Sequence, residues 1–287
     1  MSGDPFVTHR SLLFTVAYEM LGSAADAEDV VQETWLRWAG IGDAARNDVR
    51  DPRAYLVRVV TRQALNRLRS VSRRREDYVG EWLPEPLLTS PDIADDVELA
   101  DSVSIAMLTV LETLARCSCC ARCSRCRMTR SPTPSTSPPQ RSDRSRTARA
   151  HVAARRPRMT VSRTEQQQVV ERFLLALTTG DLQALMDVLA PDVVLVADGG
   201  GLAPAARHPV EGSERVAAFL SRFSQFAPGA EIATLLLNGA VAAGIDPAGE
   251  LSTAVTFVFE GGRIARIYAI RNPHKLGRLE QVAELRR

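Results

Sequence analysis

The chain has 287 residues, of which 45% are hydrophobic and 24% charged, with a formal net charge of +2. That balance excludes a highly charged disordered chain. With no apolar run near the ~20 residues a bilayer span needs, it also excludes a transmembrane helix. The length suits two modest domains, and the start MSGDPFVTHR has no apolar signal stretch, so a cytoplasmic protein is expected. The small net charge hides an uneven distribution: −7 over residues 1–115, +11 over 116–158 and −2 over 159–287. Lys275 is the only lysine, and arginine and alanine abound, which is the bias of a GC-rich genome.

Residues 11–21 predict a first helix, with Leu12, Leu13, Val16, Ala17, Met20 and Leu21 inward and Gly22 ending it. Residues 24–39 predict a second. Its inward face is Ala27, Val30, Val31, Trp35, Leu36 and Trp38, and its acids crowd the N-terminal half, where the helix dipole favours them. Residues 40–50 read as a polar loop. At Asp51 and Pro52 an N-cap carboxylate precedes a proline at the first helical position. A long helix follows over 51–75, with Tyr55, Leu56, Val59, Val60, Ala64, Leu65 and Leu68 at i, i+3, i+4 spacing. Its other face carries Arg58, Arg62, Gln63, Asn66, Arg67 and Arg69, then Arg73, Arg74 and Arg75, with no acid from 55 to 75. A solvated face normally mixes signs. A one-sign face with Asn and Gln interleaved suits phosphates and base edges, although a plain cationic surface helix has the same composition. Residues 78–88, YVGEWLPEPLL, hold two prolines that forbid regular helix, yet they are too apolar for an exposed linker. Trp82, Leu83 and Leu87 are therefore expected to dock on a neighbour. Helical spacing returns over 95–114.

Residues 116–147 break the pattern. Leu, Ile, Val and Phe are absent, serines and prolines are frequent, and all five cysteines fall within 117–126. No core can form from this stretch. Three readings compete: a zinc or iron–sulfur site, a disordered Arg/Ser/Pro linker, or a pair of compensating frameshifts. For the third, GC-rich codons for residues 116–124 can be chosen so that the shifted frame gives Val-Leu-Val-Leu-Arg-Glu-Val-Phe, a helical core pattern. The nucleotide sequence tests the third: a clean single frame giving these cysteines would sink it.

The C-terminal part predicts helices over 164–179, 181–189 and 209–226, an apolar strand at 193–196, and strands over 232–237, 240–245, 251–260 and 263–271. Asn238-Gly239 and Gly261-Gly262 are hairpin signals. Helices followed by a meander predict an α+β cone on a curved sheet. Asp192, Asp198 and His208 are its candidate acid–base groups, but no positioned proton partner is readable. Asp198 before three glycines reads as a turn acid, so no catalytic residue is assigned.

The stretches ADAEDVVQETWLRW (25–38) and DPRAYLVRVVTRQALNRLRS (51–70) resemble region 2 of extracytoplasmic-function RNA polymerase sigma factors. YVGEWLPEPL, DGGG (198–201) and NPHKL (272–276) resemble signatures of the SigJ-like subgroup, which carries a SnoaL-like C-terminal domain. His274 departs from that subgroup's usual NPDKL. The resemblance implies a non-enzymatic, multi-domain chain. It consists of an all-α region-2 domain (1–77), a linker (78–94), a disrupted region 4 (95–158, with 116–147 unstructured) and a SnoaL-like α+β cone (160–287). It implies that Asp26, Glu28, Asp29, Gln32, Glu33 and Arg37 dock on the β′ clamp of core RNA polymerase. Arg58, Arg62, Gln63, Asn66, Arg67, Arg69, Arg73 and Arg74 would contact promoter DNA while the minus-ten element is read and melted, and the 40–51 loop would hold a flipped-out base. Trp82, Leu83, Pro84, Asp198, Asn272, Pro273, Lys275 and Leu276 would form the contact through which the cone regulates the chain in cis. No cofactor or metal is expected, and the cone leaves room for an unidentified small ligand. Two other readings stay open: a cone-fold enzyme or ligand-binding protein with a vestigial sigma domain, and a non-productive polymerase-binding remnant.

Overall fold

A computed structural model describes residues 4–109, 111, 162–227, 229–246 and 252–286. The cysteine cluster, the three readings of 116–147 and most of the expected region 4 lie outside the described residues. The side chains of 72–76 do too, and with them Arg73 and Arg74.

The N-terminal domain is a helical bundle. Helix α1 spans Pro5–Leu21, six residues earlier than the apolar spacing marks, because Asp4 caps it and Pro5 stands at its first position. Gly22 closes it in the left-handed conformation. Helix α2 spans Ala24–Gly40, and the expected 40–50 loop contains a short helix, α3, at Gly42–Asn47. Helix α4 runs Pro52–Glu76, with the Asp51 carboxylate accepting the Ala54 N–H at 3.0 Å. Leu13, Ala17, Tyr18 and Leu21 of α1 meet Ala27, Val30, Val31 and Trp38 of α2 and Leu56, Val60 and Ala64 of α4 in one core. Each fully buried large apolar side chain there contributes about 1.5–3 kcal/mol. Leu36 departs from its expected inward place and is 62% exposed.

The helix expected over 95–114 is broken. Helices α5 (Pro91–Asp95) and α6 (Val97–Val103) precede a further helical stretch at 105–109. Asp96 and Ser104 interrupt it, since both side chains cap the turn that follows, accepting from the Leu99 and Met107 N–H groups.

In the C-terminal domain, α7 (Arg163–Thr179) opens on a capping box formed by Ser162 and Glu165, and α8 spans Leu182–Val188. Strand β1 (Leu189–Asp198) is longer than its apolar centre suggested. The helix expected over 209–226 is divided into β2 (Val210–Glu211), α9 (Ser213–Leu220) and α10 (Phe223–Phe226), with Gly212 at φ 89° turning the chain between strand and helix. Strands β3 (Glu231–Leu237), β4 (Ala240–Asp246), β5 (Thr253–Glu260) and β6 (Arg263–Ile270) follow, and α11 is Pro273–Leu276. The sheet order is β2-β1-β6-β5-β4-β3, with β1 and β6 parallel and every other pair antiparallel.

The sheet is buried on both faces. Val255, Phe257 and Phe259 pack inward on α7, where Phe173 meets Phe257 edge-on at 5.3 Å. The alternate residues, Ala254 and Val258, face outward with Ala242, Tyr268 and Ile270. That outer face receives Leu83, Ile105, Leu276 and Leu279. It is therefore covered partly by the cone's own C-terminal residues Leu276 and Leu279 and partly from outside the cone, by Leu83 of the connecting segment and by Ile105. No described helix is long and apolar enough to cross a membrane.

Candidate nucleic-acid interface and interdomain site

Helix α4 sorts its polar residues by neighbour. Arg58, Arg62, Asn66 and Arg69 are exposed. Gln63 is only 6% exposed and donates to Glu33 at 3.1 Å. Arg67 donates to Asp26 at 2.7 Å and Asp29 at 2.8 Å, and the Asp26 hydrogen bond raises its pKa above the ordinary arginine value. Two of the residues expected on DNA thus join two helices, and three of those expected on polymerase accept from them. On α2, Asp29, Gln32, Glu33 and Arg37 remain exposed around Leu36, while Glu28 pairs with Arg10 at 2.8 Å. Helical spacing cannot reveal which polar residue faces a neighbouring helix, so Gln63 and Arg67 look no different from Arg62 in the sequence.

The second site is built on residues 78–89, a strap of extended chain between the domains. Asp198, at the end of β1, is fully buried. It accepts from the Tyr78 hydroxyl at 2.6 Å, the Leu83 N–H at 2.9 Å and the Lys275 ammonium at 2.6 Å. The expectation that Asp198 is merely a turn acid is wrong; the Gly-Gly-Gly turn delivers a carboxylate into the interface. Asn272 caps α11 and donates to the Tyr78 hydroxyl at 2.7 Å. Pro273 opens α11, and the buried Leu276 joins Leu83 on the outer face of the sheet. Burial, the Asp198 hydrogen bond and its charge push the Tyr78 phenol well above the usual range, so it stays a donor. Lys275 also donates to the Leu83 carbonyl and lies 4.3 Å from the Trp82 ring centre and 5.0 Å from that of Tyr78. Pro84 is buried against Gly22. The other two candidate acid–base groups, Asp192 and His208, are exposed.

Gly200, with φ +59°, makes this approach possible: a Cβ there would collide with the Asn272 side chain and lie 2.9 Å from the Tyr78 hydroxyl. Gly200→Ala should therefore destabilise the folded chain by at least about 1–2 kcal/mol from the left-handed backbone alone, with the collision adding to it. Equilibrium urea unfolding checks this, and an unchanged midpoint would contradict the geometry.

Further along the strap, the buried Glu85 caps α2 from outside that helix, accepting the Ala24 N–H at 2.8 Å. The Tyr18 hydroxyl donates to the Glu85 carbonyl at 2.6 Å. Asn238, from the β3–β4 turn, donates to the Tyr18 hydroxyl and the Val103 carbonyl and accepts the Leu87 N–H. These groups were not recognised in the sequence, where Asn238 signalled only a hairpin. The C-terminal tail completes the joint: Leu285 is buried in the helical core, and the Ala283 N–H donates to the Leu88 carbonyl at 2.8 Å.

Burial outweighs these hydrogen bonds and raises the Glu85 pKa above the ordinary carboxylate value. A carboxyl group with a raised folded-state pKa binds its proton more tightly when folded. Its contribution is present below the unfolded pKa and is lost as pH rises through the folded value. Glu85→Gln keeps an acceptor for Ala24 and removes the titration. Thermal melts from pH 4.5 to 7 should show a flatter pH dependence than wild type; parallel curves would refute this role.

Comparison with known proteins agrees with this architecture. Sigma-70 region 2 matches residues 6–74, and the SnoaL-like domain matches residues 170–267. The chain is 32% identical to the ECF RNA polymerase sigma factor SigJ of Mycobacterium tuberculosis, covering 96% of this chain and 93% of that protein. It is 28% identical to the probable ECF RNA polymerase sigma factor SigI of the same species, covering 93% and 92%. The crystal structure of M. tuberculosis SigJ superposes with a TM-score of 0.68 at 28% identity, covering 96% of this chain and 98% of that one.

Proposed function

The chain belongs to the extracytoplasmic-function RNA polymerase sigma factors that carry a C-terminal SnoaL-like domain, and from that premise we propose that the exposed face of α4 reads and melts the minus-ten promoter element. As a sigma factor it directs RNA polymerase in transcription initiation and is not an enzyme. The observation that carries the reading is the uniform exposed face of Arg58, Arg62, Asn66 and Arg69 on the helix that matches region 2. Arginines neutralise phosphates and asparagine can address a base edge. The work is the opening of duplex by binding energy, with no covalent step. The exposed residues of α2, with Leu36 among them, suit a helical polymerase surface, here assigned as the β′ clamp. The chain works in the cytoplasm, where polymerase and promoter are.

Regulation in cis follows from what the cone touches. The exposed faces of α2 and α4 are not covered by it; the strap is. Tyr78, Leu83, Leu87 and Thr89 are all hydrogen-bonded to the cone. The docked cone therefore acts by immobilising the connection that leads out of region 2, and a ligand in the cone would shift this state only through unequal affinity for docked and undocked forms. On this reading the chain divides at 1–77, 78–94, 95–158 and 160–287.

Core binding and run-off transcription with purified RNA polymerase test the proposal. Promoter opening dependent on this chain is expected. Core binding without opening would instead identify a non-productive remnant.

A further inference from the structure

Of the 36 lysine and arginine residues in this chain, one is lysine, and it is buried in the domain joint. The Lys275 side chain is 11% exposed and its partner Asp198 is fully buried. Its ammonium is bounded by the Asp198 carboxylate, the Leu83 carbonyl and the faces of Tyr78 and Trp82. Arginine, used at every other cationic position, does not suit this space. Its planar fork brings five donors in fixed directions, whereas a compact ammonium meets a carboxylate and a carbonyl while lying over two rings. The interface thus places the chain's one ε-amine where docking hides it.

We propose that Lys275 is a conformation-gated acylation site, unreactive while the cone is docked and open to acyl donors when cone and strap separate. The proposal rests on the reading of this joint as the regulatory contact. The donors are acyl phosphates or acyl thioesters. The neutral amine attacks the carbonyl carbon, and an N–C amide bond forms. The C–O bond to phosphate, or the C–S bond to the thiol, breaks, and the leaving group departs with the electron pair. The amine's proton passes to water. In the docked state the second requirement, access, is not met: the strap's Leu83 carbonyl and its Tyr78 and Trp82 rings enclose the ammonium and exclude the donor. The acylated side chain has lost its charge and gained bulk, so it cannot re-enter the enclosure. Asp198, buried on docking, would be left without its cation. Acylation therefore captures the open form, and its rate measures how often that form is visited.

The full chain is incubated with acetyl phosphate in one arm and acetyl-coenzyme A in the other. Lys275 occupancy is followed by peptide mass, which separates it from the α-amino group. The comparison chain is Gly200→Ala, whose open state is verified by an increased hydrodynamic radius and which substitutes none of the residues that bound Lys275. Lys275 is expected to react at least ~10-fold faster in that variant. The acetylated wild-type chain should show the larger radius and match Lys275→Gln in run-off transcription, while Lys275→Arg fixes the behaviour of a charged, non-acylatable side chain. Reaction in one arm only identifies the donor class. Equal rates in the two chains, or an acetylated chain that keeps the docked radius, overturn the gate and leave the regulatory reading standing. If Asp198→Ala and Lys275→Gln leave transcription unchanged, the regulatory reading itself fails, whatever the acylation rates.

Discussion

Replacing Asp198 by alanine should lower the unfolding free energy by about 3–5 kcal/mol, the loss typical when one partner of a buried ion pair is removed. The substitution leaves the Lys275 ammonium enclosed without its carboxylate and takes the acceptor from both the Tyr78 hydroxyl and the Leu83 N–H. The damage falls on the joint, because Asp198 ends a strand of the cone whereas Tyr78 and Leu83 belong to the strap. Urea unfolding followed by tryptophan fluorescence is the measurement. Wild type is expected to unfold in one transition, since the strap contributes to both cores, and Asp198→Ala in two. The double variant Asp198→Ala, Lys275→Met removes the stranded charge and should recover part of the loss. If the single variant unfolds at the wild-type midpoint, the Asp198 carboxylate does not hold the domains together.

Arg58→Ala combined with Arg62→Ala should weaken promoter binding while leaving polymerase binding and stability nearly unchanged. Both residues are exposed. Losing two phosphate contacts should flatten the slope of log K against log salt by about 1.4–1.8, and stability should stay within about 0.5 kcal/mol, as for ordinary surface substitutions. Arg67→Ala should behave differently. It breaks two ion pairs that join α4 to α2, so it should lower stability and affect both activities. Fluorescence anisotropy on promoter DNA over a salt series, with a parallel core-binding assay, separates the two cases. Equal loss of both activities in the Arg58, Arg62 pair would refute the assignment.

Periodic features were legible in the sequence. The apolar spacing of α4, the hairpin signals at Asn238-Gly239 and Gly261-Gly262, and the unusual apolarity of the strap gave the two-domain architecture, because local chemistry determines them. Features that depend on a distant partner were not. Ser104 could not be read as a helix start without knowing that the chain turns there to place Ile105 on the sheet. Asp198 resembled an ordinary turn residue because its three donors come from Tyr78, Leu83 and Lys275, up to 120 residues away. Glu85 caps a helix that begins 61 residues earlier, and capping rules look only at the adjacent sequence. The resemblance to a known family supplied what periodicity could not: the expectation of which face meets polymerase and which meets DNA, and of Asp198 in the interdomain contact.

The attachment of the strap to β3 has a further consequence. The Leu87 carbonyl accepts the Asn238 N–H, and the Thr89 N–H donates to the Leu236 carbonyl, where Leu88 pairs with Leu237. β3 is the last strand of its sheet, so the strap caps the C-terminal end of an edge that pairs with no other strand among the described residues. Releasing the cone strips that cap, leaving unsatisfied peptide groups beside a sheet face that has lost Leu83 and Ile105. An edge in this condition is a template for pairing with another chain. On the proposed regulatory reading, undocking thus carries a colloidal hazard, and the lifetime of the open form is bounded by self-association unless polymerase captures it first.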